Sequence, residues 1–280
     1  MDVDKRSRTA LGAALYRAAH QLVDRPPVFE DPLALRIVGR EWEDALRAGR
    51  ERWTQPQAAG MRAFLAVRSR YCEDCFAESF RRGVRQYVVL GAGLDTFAYR
   101  ARFDGVRVFE VDRPATQEWK RARLAEAGIA LPASVDYVPV DFERDALRAG
   151  LERTRFEFSR PAFFAWLGVT PYLTRDAIMG TLGVIATDMG AGSEIVFDVA
   201  APPGDDPRAK AAREALAAHM EAAGERLKSE IAPAGLSEDL RRLGFSQVAV
   251  ADSALLNARY FEGRRDGLAL RGGHILRASV

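Results

Sequence analysis

Cysteine is almost missing from this chain: Cys72 and Cys75 are the only two. A small secreted scaffold stapled by disulfides is thereby excluded. A zinc site is disfavoured as well, because the three histidines, His20, His219 and His274, lie far apart and cannot complete a set of about four ligands. The two thiols, three residues apart in a helical stretch, read as buried side chains. There is no run of about 18 apolar residues to cross a membrane, and no charged leader followed by an apolar stretch, so the chain reads as cytoplasmic. Charge of one sign is also lacking: 41 Lys and Arg face 39 Asp and Glu, for a net charge of +2. With no basic stripe beside that near balance, a general nucleic-acid partner is not expected. What the chain does have is apolar residues, 48% of 280, enough for one large domain with a substantial core.

Residues 1–83 read as helical. Leu11, Ala14, Leu15, Ala18 and Leu22 recur at helical spacing. Pro26-Pro27 ends that segment, and Asp31-Pro32 has the form of a new helix start, with Asp as N-cap. A longer helix is expected over 57–82, closed by Gly83. From residue 84 the pattern changes to short apolar runs alternating with helices. Strands are expected over 86–90, 106–111, 135–140, 162–167 and 193–198, with helices near 114–127, 142–152 and 174–189. Continuous apolar strands of this kind are buried on both faces of a parallel sheet. A loop at 202–207 and an Ala-rich, charge-laced helix at 208–229 interrupt the alternation, as an insertion of about 201–230. A helix near 236–243 follows. Strands at 246–251 and about 268–277, joined by a short link, would add an antiparallel edge. The expected division is a helical extension or lid, 1–83, on an α/β core, 84–280.

The strongest local signal is Val88-Val-Leu-Gly-Ala-Gly-Leu-Asp-Thr96. Gly91 and Gly93, flanking Ala92, fall where the first strand must turn sharply and let a ligand approach the main chain. Asp112 follows 21 residues after Gly91, ending the second strand, where a carboxylate accepts hydrogen bonds from ribose hydroxyls. Together they point to a bound nucleoside. A dinucleotide fingerprint would place a third glycine at Thr96, and Asp95 is a poor neighbour for a pyrophosphate. S-adenosylmethionine has no phosphate and carries a sulfonium, an ammonium and a carboxylate, which suits an acidic turn. None of the seven tyrosines is followed by Lys four residues later, as a short-chain dehydrogenase would have. Methyl transfer is therefore preferred to hydride transfer, with an NAD(P)-dependent oxidoreductase and a non-catalytic nucleoside-binding protein as alternatives.

The chain resembles the leucine carboxyl methyltransferase family, in particular its bacterial O-methyltransferase branch associated with small-molecule and polyketide pathways. The resemblance spans most of 5–200 and rests on Thr9-Ala-Leu-Gly12, Val28-Phe-Glu-Asp-Pro-Leu-Ala34, Val67-Arg-Ser-Arg-Tyr71, Val89-Leu-Gly-Ala-Gly-Leu-Asp-Thr96, Phe109-Glu-Val-Asp112 and Trp166-Leu-Gly-Val-Thr-Pro-Tyr-Leu173. It implies a Rossmann-like class I methyltransferase with a mostly parallel seven-stranded sheet, an antiparallel edge strand and S-adenosylmethionine as cofactor. By the same resemblance, Arg68 would pair with the cofactor carboxylate, Gly91 would lie against the methionine portion, Asp112 would hold the ribose, and Asp141 and Phe142 would bracket the adenine. An arginine fork suits a carboxylate; Asp141 is also a candidate helix N-cap. Where eukaryotic members carry glutamate after the fourth strand, near the cofactor's amino-acid end, this chain has Leu167. That departure points away from a protein-phosphatase substrate and toward a small-molecule acceptor.

A carboxylate acceptor is ionised at neutral pH and needs no general base, whereas a phenol or alcohol usually does. No clear His or Lys stands beside the fourth strand. His20, in the N-terminal helices, is the best remaining base candidate. Thr170-Pro-Tyr172 occupies the place where enzymes methylating nucleobase nitrogens carry Asn/Asp-Pro-Pro-Tyr, so nucleobase methylation is disfavoured and Tyr172 becomes an acceptor-pocket candidate.

Overall fold

A computed structural model describes residues 8–203, 210, 214, 217, 218, 221 and 226–280. Five helices precede the first strand: α1 (Arg8–Val23), α2 (Ala34–Val38), α3 (Arg40–Ala48), α4 (Arg50–Trp53) and α5 (Pro56–Arg81). The strands are β1 (Gln86–Leu90), β2 (Arg107–Asp112), β3 (Val135–Pro139), β4 (Ala162–Trp166), β5 (Glu194–Val199), β6 (Gln247–Ala251) and β7 (His274–Ser279). Interleaved with them are α6 (Phe97–Arg100), α7 (Pro114–Glu126), α8 (Leu147–Leu151), α9 (Arg175–Asp188), α10 (Pro233–Leu243) and α11 (Ser253–Tyr260).

The sheet has the order β3-β2-β1-β4-β5-β7-β6, parallel except for β7, which runs antiparallel between β5 and β6. Val88, at the middle of β1, pairs with Phe109 on β2 and Phe164 on β4. Every residue of β1, β4 and β5 is buried, which is why these strands are dominated by apolar side chains, with Gln86, Glu194 and Asp198 as the buried polar exceptions. Alternate residues serve opposite faces. Val88, Leu90, Phe164 and Trp166 pack with Ile178, Leu182, Leu236 and Leu240 of α9 and α10. Tyr87, Val89, Phe163 and Ala165 pack with Ala63, Val67, Cys72 and Phe76, so the long helix α5 covers the second face. A third cluster joins Ala14, Ala18 and Ala19 of α1 to α2 and to Trp119 and Leu124 of α7. Small alanines on α1 let it approach closely.

The structure departs from the sequence reading at several segments. α2 starts at Ala34, and Asp31 instead closes the turn before it by accepting the Leu33 N–H at 3.0 Å. The segment after β3 is a turn whose helix begins only at Leu147. The link between β6 and β7 is not short: it holds α11, whose N-cap Asp252 accepts the Leu255 N–H at 2.9 Å. Most of the helix expected over 208–229 lies outside the described residues, and 226–230 is irregular chain. Among the described residues no helix is long and apolar enough to cross a membrane.

Asp24 ties α1 to α5. Its carboxylate accepts from Arg62 Nε at 2.9 Å, Arg62 Nη2 at 2.8 Å and His20 Nδ1 at 2.6 Å. Burial alone would raise the Asp24 carboxyl, but the bonds from Arg62 and His20 bring it down to about 2. A carboxyl lowered by folding contributes stability above its unfolded value near 3.9, and that contribution is lost as pH falls through about 2. The shift corresponds to roughly 2 kcal/mol. Asp24→Asn is therefore expected to lower Tm at about pH 7, with a deficit that shrinks toward about pH 3. Calorimetric melts at both values check this, and a deficit of the same size at the lower pH contradicts it.

Candidate active site

The strand order reverses direction at β1 and β4, so the chain leaves their carboxyl ends on opposite sides and opens a crevice. The glycine turn after β1 is fastened to the end of β2. Gly91 and Ala92 both donate to the Val111 carbonyl, at 2.7 and 3.0 Å. Gly91 has φ +70°, and a Cβ there would lie 2.3 Å from Val169 Cγ2 of the segment following β4. On Gly93 a Cβ would come within 3.1 Å of Ala10 on α1. Glycine thus lets the wall after β4 and the covering helix close on the turn. Asp112 completes the cradle: its Oδ2 accepts the Gly93 N–H at 2.7 Å and its Oδ1 accepts the Arg113 N–H at 2.7 Å. Burial raises the Asp112 carboxyl above the usual carboxylate range, against those two backbone donors.

These groups face a cavity of about 360 Å³ that also brings in Arg68, Asp141, Phe142, Leu167 and Tyr172. Arg68 reaches it from α5. Asp141 caps no helix; its Oδ1 accepts the Glu143 N–H at 3.1 Å within the turn after β3. Phe142 lies 5.9 Å from the Trp166 ring between centroids. Glu73 and Asp95 line the same space, and burial holds the Glu73 carboxyl above its ordinary range. Such acids beside the glycine turn would oppose a pyrophosphate, but they tolerate a ligand bearing an ammonium and a sulfonium. The donor set and the glycine cradle therefore fit S-adenosylmethionine.

A sequence profile described as leucine carboxyl methyltransferase matches residues 10–186, more than half of the chain. The chain belongs to the leucine carboxyl methyltransferase family. It is 31% identical over 222 residues to YktD of Bacillus subtilis (strain 168), a candidate S-adenosyl-L-methionine-dependent methyltransferase, covering 71% of this chain and 73% of YktD. A similarly named protein of Mycobacterium avium (strain 104) is 36% identical over 204 residues. The match covers 68% of this chain but only 63% of the mycobacterial protein. Among solved structures, a candidate methyltransferase from Thermobifida fusca YX superposes with TM-score 0.58 at 18% identity, over 99% of this chain and 96% of that one. A DUF574 family protein from Streptomyces avermitilis gives 0.57 at 15% identity, over 96% of each. These two likenesses concern the fold, which is Rossmann-like.

His20 does not belong to the site of this family member. It is fully buried, its Nδ1 is 2.6 Å from Asp24, and its Nε2 accepts the Val28 and Phe29 N–H groups at 3.0 and 3.2 Å. Both ring nitrogens are occupied, and the ring does not line the cavity, so His20 is no base. His274 lies on β7 away from the cavity, and His219 lies outside the described residues. Cys72 and Cys75 are buried, and burial pushes the Cys75 thiol up to about 11. Sequence reasoning missed Arg17, which lines the cavity from α1 on the same helical face as Ala10 and Ala13, and donates to the Leu94 carbonyl at 2.5 Å. That spacing was the available signal. It also missed Lys228, whose Nζ is 3.0 Å from Glu143 Oε1.

Gly91→Ala is expected to weaken S-adenosylmethionine binding by about tenfold or more, because the left-handed turn is strained by a side chain at roughly 1–2 kcal/mol and Val169 must move. Titration calorimetry checks it; an unaltered affinity would exclude this turn from the cofactor cradle.

Proposed function

We propose that this chain methylates a carboxylate oxygen of a small-molecule acceptor, with S-adenosylmethionine held around Gly91, Ala92, Gly93 and Asp112. That it is an S-adenosylmethionine-dependent methyltransferase follows from its family and from the relatives so named; the oxygen acceptor is the finer step. The observation that favours it is the lack of a histidine or free lysine to act as base: among the described residues no histidine lines the cavity, its lysine, Lys228, is held by Glu143, and its acid Glu73 is paired with Arg100. A carboxylate acceptor, with a reference pKa of about 4, is ionised without help; a phenol or alcohol needs a group to take its proton.

When bound, S-adenosylmethionine supplies a methyl group on an already activated sulfonium. The chain's own residues then bind, align and exclude water. Asp112 offers the ribose hydroxyls oxygens already ordered by Gly93 and Arg113. Asp141 would accept from the adenine amino group, Phe142 would give apolar contact, and Arg68 would present its fork to the amino-acid carboxylate. Leu167 would lie at the cofactor's amino-acid end, and Tyr172 would wall the acceptor side. Residues 1–83 act as the helical extension whose α1 covers the cavity, and 84–280 as the core that carries the 201–230 insertion.

The test is incubation with methyl-labelled S-adenosylmethionine and separate panels of carboxylic acids, phenols and amines. A methyl ester releases volatile methanol in alkali, so alkali-labile label on the acids is the expected result. Label that appears only on phenols or amines and resists alkali overturns the carboxylate reading. Binding of NAD(P)H with no response to S-adenosylmethionine overturns the cofactor reading.

A further inference from the structure

Near the end of β5 stands Asp198, whose side chain is only 5% exposed and has both oxygens engaged. Oδ1 accepts the Gly168 N–H at 2.6 Å, and Oδ2 accepts Arg68 Nη1 at 3.1 Å. The Asp198 carbonyl accepts Thr170 Oγ1 at 2.6 Å. One residue thus joins three parts of the cavity wall: the guanidinium from α5, the turn after β4, and the short turn at 170–172. The backbone bond to Gly168 sets this carboxylate immediately beside Leu167, the position that itself offers no charge.

The Arg68 guanidinium occupies a slot. Its Cζ lies 5.9 Å from the Phe64 ring centroid, one helical turn earlier on α5. On another side, Nη1 and Nη2 stand 2.6 and 2.7 Å from where a Cβ on Gly168 would be, and Gly168 has φ +72°. A guanidinium has five N–H donors. Asp198 takes one through Nη1, which leaves further donors for the cavity that Arg68 lines.

We infer that Asp198 is a positioning residue that sets Arg68 toward the carboxylate at the amino-acid end of the cofactor, an inference that rests on the methyltransferase reading above. Arg68 touches the cofactor; Asp198 acts through it. A long side chain already held in its binding geometry loses less freedom when the ligand arrives. The pairing also favours a fork with a fixed edge over a mobile point charge.

The test compares two ligands by titration calorimetry on the full chain. S-adenosylhomocysteine carries the amino-acid carboxylate, and 5′-methylthioadenosine lacks it. Asp198→Asn keeps the shape and an acceptor for Gly168 while removing the charge. The variant is expected to bind S-adenosylhomocysteine about tenfold more weakly and 5′-methylthioadenosine within about twofold of the parent chain. In an Arg68→Met background, Asp198→Asn is expected to add less than about twofold. Gly168→Ala, which displaces Arg68 from the other side, should reproduce the same ligand selectivity. Equal losses for both ligands, or unchanged or tighter binding of S-adenosylhomocysteine by Asp198→Asn, overturn the inference. A parent chain that binds neither S-adenosylmethionine nor S-adenosylhomocysteine overturns the cofactor reading itself. If the parent binds both and the variants show no selectivity, only the role of Asp198 fails.

Discussion

Asp112→Ala is expected to weaken S-adenosylmethionine binding by about 10²- to 10⁴-fold, from the loss of two hydrogen bonds to a charged acceptor at roughly 1.5–3 kcal/mol each. Part of the loss is indirect, because the Gly93 and Arg113 N–H groups that now order the carboxylate would lose their acceptor. Asp112→Asn is not a mild change here. Each carboxylate oxygen accepts from its own backbone donor at 2.7 Å. An amide turns one of those oxygens into an NH2 that faces another donor, so asparagine is expected to bind nearly as weakly as alanine. Burial already raises the Asp112 carboxyl, which means that folding disfavours its charged form, so Tm should move by no more than a few degrees. The sign of the pH effect follows. Protonation of a raised carboxyl begins at a higher pH than for an ordinary one, and the protonated form accepts less well, so affinity should decline on acidification before ordinary carboxylates titrate. Calorimetric titration of both variants, and of the parent across pH, decides it; asparagine binding like the parent would remove Asp112 from the cofactor site.

The parts of this site written in local chemistry were legible in the sequence. β1 after Gln86 and the whole of β4 are short, apolar and buried on both faces, which makes them legible as central strands. The turn at Gly91 needs a left-handed residue, and glycine there is a local signature. Asp112 ends a strand at a recognisable distance from that turn, and its bond to Gly93 joins what the spacing had only suggested.

Other features depend on partners that no local pattern names. His20 was a candidate base because it stands on a helix near the cavity, yet its role is fixed by the main-chain N–H groups of Val28 and Phe29, eight and nine residues away. The family resemblance singles out Arg68, but nothing local names its partner Asp198, 130 positions distant. Its only sequence mark, an acid ending a strand, was the same one used for Asp112. α11 escapes the sequence reading although Asp252 is a good N-cap, because the neighbouring apolar runs read as strands joined by a short link. Asp31 was read as a helix cap; it serves a turn and also accepts Thr96 Oγ1 at 2.6 Å, which fastens the loop before α2 to the end of the glycine turn.

Lys120→Met is expected to damage stability severely, through a buried ion pair that does not itself line the cavity. Glu110 and Lys120 are each about 1% exposed, with Nζ 2.8 Å from Glu110 Oε1. Glu110 Oε2 accepts the Tyr99 hydroxyl at 3.0 Å, and that hydroxyl lies 2.8 Å from the Tyr137 hydroxyl. Burial raises the Glu110 carboxyl even with Lys120 beside it. Removing Lys120 leaves a buried acid without its counter-charge, which costs roughly 3–5 kcal/mol. At about 2–4 °C per kcal/mol for a chain of this size, Tm should fall by about 6–20 °C. The loss should depend on pH with a definite sign. A carboxyl raised in the folded state is destabilising above its folded value and is relieved as pH falls through it, so the deficit of Lys120→Met should shrink on acidification. Glu110→Leu combined with Lys120→Met removes both charges and should recover most of the lost stability, since well-packed apolar replacements of a buried pair are often neutral. Calorimetric melts of the two single variants and the double variant, at neutral and mildly acidic pH, measure the coupling directly. A double variant no more stable than Lys120→Met alone would show that the loss comes from packing around α7 rather than from the stranded charge of Glu110.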